Sequence, residues 1–221
     1  MYVIINMITA VMFGIARLLY GMRIEGEENI PSRGPFILGF DEIGHMATMM
    51  TTIFLARRIL SGLIDRPVGF GDEFMWTQGW RHVYDRGGST PIFPHGRGQG
   101  THGLITGLQA LRESKIVMMN PTGEMSWDGR PVPPKKAVAW LALRSGAPVV
   151  LVVATKGAYE VRPKWMERPQ LTGNFRLRVG KPLYLADGPQ TQVSDEMVAQ
   201  ANQKLRAEMD VLVYGPGPAA Q

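Results

Sequence analysis

The sequence predicts a single α/β domain with a central mixed, partly parallel sheet flanked by helices, preceded by an apolar amphipathic helix. Three observations predict it. Short apolar runs at Phe36–Phe40, Ile116–Met119 and Val149–Ala154 alternate with helical patterns, which is the order of βαβ units. The run Val149–Ala154 is so continuously apolar that both faces of its strand must be covered. The 221 residues, 45% hydrophobic and 19% charged, can bury one sizeable core. No repeat or linker divides them.

The elements follow in order. Tyr2 to Ala16 carries no charge, and at helical spacing Ile4, Ile8, Val11, Ile15 and Leu18 or Leu19 form one stripe. A spanning helix needs about 20 apolar residues, and Arg17 closes this run early. Nothing basic precedes Arg17, so the run does not read as a secretory signal. An interfacial helix in the membrane surface over residues 1–22 is the expectation, with packing on the protein's own core as the alternative. The turn-rich GEENIPSRGP, Gly26 to Pro35, ends this segment. Phe36–Phe40 is a buried strand, and Asp41 can cap a helix from Ile43 to Leu60. Pro67–Gly71 is a short strand, and Glu73–Trp80 an aromatic helix or turn. Thr90–Phe93 is a strand entering the loop PHGRGQG. Thr101–Glu113 is a helix and Ile116–Met119 a strand. A helix over Lys136–Arg144 is stopped by Gly146. After the strands Val149–Ala154 and Phe175–Val179, Ser194 caps a helix over Asp195–Leu212. The α/β domain thus spans 23–213, and GPGPAAQ within 214–221 is a flexible tail.

Composition removes several function classes. The chain has no cysteine, which excludes disulfides, thiolate zinc sites and cysteine nucleophiles. The net charge of +5 suits an anionic lipid surface or a phosphorylated substrate as well as an ordinary solvated surface. No nucleic-acid-binding motif is present. Nothing in the sequence speaks to oligomeric state.

The segment Asn120 to Thr155, NPTGEMSWDGRPVPPKKAVAWLALRSGAPVVLVVAT, is the most telling. Pro121, Gly123, Ser126, Asp128, Gly129, Lys135, Lys136 and Gly146 to Val153 fall in one register with the later motif blocks of a known family. The chain resembles the phospholipid/glycerol acyltransferase superfamily, of the 1-acylglycerol-3-phosphate acyltransferase type, whose usual wording is FPEGTRS and then GxPVVPV. The upstream GPFILGFDEIGHMATMM sits where that family carries its NHxSxxD box. The resemblance implies the family's α/β fold over roughly Arg23 to Tyr184. It also implies transfer of an acyl group from acyl-CoA or acyl carrier protein to a lipid hydroxyl, with no cofactor or metal beyond that co-substrate.

In the family the box histidine is the general base, oriented by the aspartate, because an imidazole titrates near neutral pH. Alignment places Asp41 at the asparagine, Glu42 at the histidine, Gly44 at the serine and Ala47 at the aspartate. The usual dyad is therefore absent, and four arrangements stay open. Glu42 can serve as the base with its pKa raised by burial. Asp41 and His45, four apart, can form a reversed pair. His95 can approach from its loop. Finally, Asp41 can be a helix cap, Glu42 a first-turn acid and His45 a packed polar residue.

The family's second motif holds a substrate phosphate with an arginine. Arg97, between Gly96 and Gly98, lies nearest that place, and amides and guanidinium there suit an anion. In the third motif Thr122 replaces the glutamate, Glu124 the threonine and Met125 the arginine. Gly123 with neighbouring amides can still face an oxyanion, and Lys135 and Lys136 before a helix can restore positive charge. The resemblance thus implies a catalytic set of Glu42, Asp41 and His45, and a substrate-binding set of Arg97, Thr122, Gly123, Glu124 and Lys135. The expected protein is a membrane-surface acyltransferase of glycerolipids on the cytoplasmic face, peripheral or monotopic. Its alternatives are an inactive relative that binds lipid or a partner, and an enzyme with its own acid–base pair on the same scaffold.

Overall fold

The computed structural model describes residues 2–40, 44–71, 89–91, 99–124, 132–155 and 175–215. Helix α1 (Tyr2–Tyr20) leads into β1 (Arg23–Glu25), a one-turn 3-10 helix at Glu27–Asn29, β2 (Phe36–Phe40) and α2 (Gly44–Leu60). Then come β3 (Val68–Gly71), β4 (Ser89–Pro91), α3 (Gln99–Arg112), β5 (Ile116–Met119) and α4 (Lys136–Ser145). The chain closes with β6 (Val149–Ala154), β7 (Arg176–Val179) and α5 (Asp195–Tyr214).

The described strands form one seven-stranded sheet in the order β1-β7-β6-β2-β5-β3-β4. From β6 across to β4 every pairing is parallel, while β7 runs antiparallel to β6 and carries β1 parallel to itself. The sheet is mixed and mostly parallel, as the alternating pattern predicts.

The two faces are sorted residue by residue. On β2, Phe36 and Leu38 join one core while Ile37 joins the other, as the two-residue period of a strand requires. On β6, Val150, Val152 and Ala154 face the first core, and Val149, Leu151 and Val153 the second. All six residues of β6 are buried, so its unbroken apolar run reflects cover on both sides. Phe13 and Ala16 of α1 and Met50, Ile53 and Phe54 of α2 cover the first face. Leu108 and Leu111 of α3, Val138 and Leu141 of α4, and Leu205 and Met209 of α5 cover the second. The result is three layers, helix on sheet on helix.

One departure from the sequence expectation concerns the chain just after α1. Helix α1 continues through Arg17 and stops at Tyr20, followed by Gly21 in the left-handed region (φ 57°), the usual helix-ending conformation. The chain then pairs Arg23–Glu25 with β7. Three residues are too few for a period of two to show, so this edge strand leaves no legible mark in the sequence.

On α1 the inward side holds Phe13 and Ala16, while Met7, Val11, Ile15 and Leu18 point outward, Val11 at 60% and Leu18 at 82% exposure. Met12 and Leu19 widen the same exposed strip. The side chains of Ile4 and Ile8 lie outside the described residues, as do the expected helix or turn at 73–80, the strand end at 92–93 and the tail from 216. Among the described residues no helix is long and apolar enough to cross a membrane.

Candidate active site at the carboxyl edge of the sheet

Parallel pairing decides where the chemistry-bearing segments emerge. In the β2–β5 ladder Gly39 is opposite Met119, and in the β2–β6 ladder Phe40 is opposite Val152. Gly69 of β3 is opposite Met118, and Gly71 is opposite Pro91 of β4. Strands β2, β4 and β5 therefore have their carboxyl ends at the same edge. That edge, outside the carboxyl ends of parallel strands, is where open α/β sheets bind ligands.

The turn after β5 is built from its own residues. The Gly123 amide donates to the Asn120 carbonyl at 3.2 Å, closing a four-residue turn. Asn at the first position, Pro at the second and Gly at the fourth are the residues such a turn favours. The Asn120 side-chain oxygen accepts from the Thr122 amide at 2.8 Å. The Thr122 hydroxyl lies 2.7 Å from that same oxygen and 2.8 Å from the Glu124 carbonyl, and its single proton serves one of them at a time. Asn120 Nδ2 also donates to the Glu124 carbonyl at 3.3 Å. Thr122 is buried, with 1% exposure, and its polar atoms are taken up inside the turn.

Gly39 lets this turn sit down on the sheet. A Cβ built there would lie 2.9 Å from Leu151 Cδ2 and 3.0 Å from Pro121 Cγ. Only a glycine one residue before the end of β2 leaves room for the Pro121 ring. The end of β2 and the turn following β5 are thus locked side by side through Gly39 and Pro121.

The open side of the turn faces Lys135 and the start of α4. Gly123 is exposed and left-handed (φ 62°), and the aliphatic stem of Lys135 crosses it, with Lys135 Cδ 3.2 Å from where a Cβ would stand. The Lys135 amide donates to the Pro121 carbonyl at 2.8 Å. Lys135 Nζ lies 3.5 Å from Glu124 Oε2, with each side chain about half exposed. Lys135 is also the N-cap of α4 and makes no side-chain cap bond. The positive end of the α4 dipole and an ammonium group therefore flank the exposed Gly123 backbone, an arrangement that favours an anion or an oxyanion. Lys136 is engaged elsewhere: its Nζ pairs with Asp195 Oδ1 at 2.7 Å. This hydrogen bond and the ammonium charge hold the Asp195 carboxyl below its ordinary pKa.

Of the residues expected from sequence, Thr122, Gly123, Glu124 and Lys135 come together here. His45 is the second residue of α2, at the same sheet edge by the course of β2, with its side chain outside the described residues. Asp41, Glu42 and Arg97, together with His82 and His95, also lie outside them. His102, on α3, is exposed. Among the described residues no three His, Cys, Asp or Glu side chains gather as a metal site would require. Sequence reading passed over Asn120 and Gly39. The Asn-Pro-x-Gly wording was a legible signal for the first, whereas the second is visible only once Pro121 is seen above it.

No protein-family model and no curated protein sequence matches the chain. Among solved structures it is similar to the crystal structure of the 1-acyl-sn-glycerophosphate (LPA) acyltransferase PlsC from Thermotoga maritima. The TM-score is 0.63 at 20% identity, and the match covers 92% of this chain and 76% of that one. The three-layer α/β fold described above, with its mostly parallel sheet, is the fold of that acyltransferase.

Proposed function

We propose that this chain is a glycerolipid-type acyltransferase working at a membrane surface. It moves a fatty acyl group from acyl-CoA or acyl carrier protein to a hydroxyl of a lysophospholipid or related lipid acceptor. One observation carries the reading. In a fold shared with a PlsC acyltransferase, β2, the strand that precedes Asp41–His45 in sequence, ends at the same edge as β5, which carries the Asn120–Glu124 turn.

In this reading a base in Asp41–His45 removes the proton of the acceptor hydroxyl, and the oxygen attacks the thioester carbonyl. Glu42, or His45 paired with Asp41, is that base. The α4 N-terminus and the Lys135 ammonium, both beside the Gly123 turn, then stabilise the tetrahedral oxyanion. On collapse the carbon–sulfur bond breaks, the new ester forms, and the abstracted proton goes to the departing thiolate. Arg97 holds the acceptor's phosphate. The exposed apolar strip of α1 supports peripheral attachment, since a helix with one large apolar face lies in the interfacial plane.

Loss of a general base costs about 10²–10⁴-fold in rate. Glu42→Gln, His45→Ala and Asp41→Asn are to be compared with wild type for acyl-CoA-dependent acylation over a panel of lysolipids and lipid alcohols. A fall confined to Glu42→Gln identifies the carboxylate as base. Matched falls in His45→Ala and Asp41→Asn identify the pair. Unchanged activity in all three removes the segment from the chemistry. An inactive wild type that still binds lipid selects the alternative, a non-catalytic lipid-binding protein on the same fold.

A further inference from the structure

At the far end of α2 from the candidate active site, a cleft of about 210 Å³ opens between α1, α2 and β1. Arg57 is 13 residues along the helix from Gly44, which separates the two places by roughly 20 Å at 1.5 Å per residue. Phe13, Arg17, Phe54, Arg57, Arg58 and Glu27 are among its walls.

The charges in this cleft are unbalanced. The Arg57 guanidinium sits 4.5 Å from the centre of the Phe13 ring and that of Arg17 5.8 Å from the same ring. Among the described residues neither has a carboxylate partner. Glu27 is engaged by Arg58, at 3.3 Å. Arg58 is largely covered, its side chain 14% exposed, and its Nε is shielded from solvent without a hydrogen-bond partner among the described residues. Among the described residues three guanidiniums thus meet one carboxylate, and two of them crowd a single aromatic ring. Like charges held this close repel until an anion stands between them. A guanidinium presents paired N–H groups that match the oxygens of a phosphate.

The position of the cleft selects among anions. It opens at the root of the exposed apolar strip of α1, whose Leu18 follows Arg17 directly and is 82% exposed. A ligand that fills the cleft with a phosphate and lays hydrocarbon along α1 satisfies both surfaces. We propose that the Arg17–Arg57–Arg58 cleft binds the phosphate of an anionic phospholipid of the bilayer, separately from the acyl acceptor. The headgroup fixes how α1 and the domain behind it sit on the membrane. The proposal rests on the membrane-surface reading above, but on different residues.

The test is vesicle flotation of the full chain on phosphatidylcholine alone and on phosphatidylcholine doped with phosphatidylglycerol. Arg17→Gln/Arg57→Gln is compared with Arg112→Gln/Lys181→Gln, which removes the same charge from exposed positions outside the cleft. Near an anionic surface each basic residue contributes about 5-fold in affinity, hence on the order of 25-fold for two. The expected result is a loss of that size on the anionic vesicles for the cleft pair alone, with binding to neutral vesicles unchanged. Equal losses in both pairs, or none in the cleft pair, overturn the proposal. So does full release of wild type from anionic vesicles by inorganic phosphate at matched ionic strength, which would make the ligand a soluble phosphate. Leu18→Glu separates the two readings. If it leaves flotation intact while the arginine pair lowers it, the apolar strip is not the anchor and the cleft stands. If wild type binds neither vesicle, both readings fall.

Discussion

Replacing Thr122 by valine tests whether the turn after β5 is held as described. Valine keeps the branched shape and puts a methyl in place of the hydroxyl, in a residue that is 1% exposed. The cost depends on what is left without a partner. The Asn120 side-chain oxygen keeps the Thr122 amide at 2.8 Å, and the Glu124 carbonyl keeps Asn120 Nδ2 at 3.3 Å. No acceptor is orphaned, so the larger penalty for a buried unsatisfied group does not apply. What remains is the net value of one hydrogen bond, about 1 kcal/mol. For a domain of this size that lowers Tm by roughly 2–4 °C, and Thr122→Ser should restore most of it. Thermal unfolding followed by circular dichroism reads the shift. An unchanged Tm means that the hydroxyl is not in the turn and is free to meet substrate. A fall beyond about 8 °C means that it supports more than these two acceptors.

Three further outcomes are expected. Gly39→Ala places a methyl 2.9 Å from Leu151 Cδ2 and 3.0 Å from Pro121 Cγ, an overpacking worth about 1–3 kcal/mol. It should lower stability and acyl transfer together by tilting the turn off the sheet, and wild-type values for both would disprove the Gly39–Pro121 seat. Leu205→Ala empties a fully buried position on α5 and should cost about 2–5 kcal/mol. In urea this appears as a lower midpoint, and a change under 1 kcal/mol would mean that α5 is not packed on the sheet. Asp195 has its pKa lowered by Lys136, so the folded value lies below the unfolded one. The pair's contribution is therefore present above the unfolded pKa and lost as pH falls through the folded one. Because Asp195 is solvent-exposed, Asp195→Asn should remove only a small part of the acid loss of Tm. Added salt should abolish that difference, and its survival in high salt would show the pair to be buried.

The α/β class was legible in the sequence because its causes are local. Apolar runs of four to six residues between helical patterns are too short for helices and read as strands with helices packed on them. The buried face pattern of Val149–Ala154 followed from its residues alone. The bounds of α4 and the Ser194 cap of α5, whose Oγ accepts from the Met197 amide at 3.3 Å, were equally readable, because caps and helix-stopping glycines act within one turn. The resemblance of Asn120–Thr155 to an acyltransferase pointed to the fold that the PlsC comparison supports. Other features belong to the tertiary structure. Sheet order is set by which runs pair over long separations, so sequence could not tell that β2 lies between β5 and β6. Nor could it tell that β2 and β5 end at one edge. Strand β1 is three residues long and exists because β7 offers it a ladder. The partner of Lys136 is 59 residues away on α5, which turns a presumed substrate cation into a surface ion pair. The arginine cleft depends on Phe13 of α1 lying under Arg57 of α2, a meeting that only the packing of two helices on one face of the sheet could bring about.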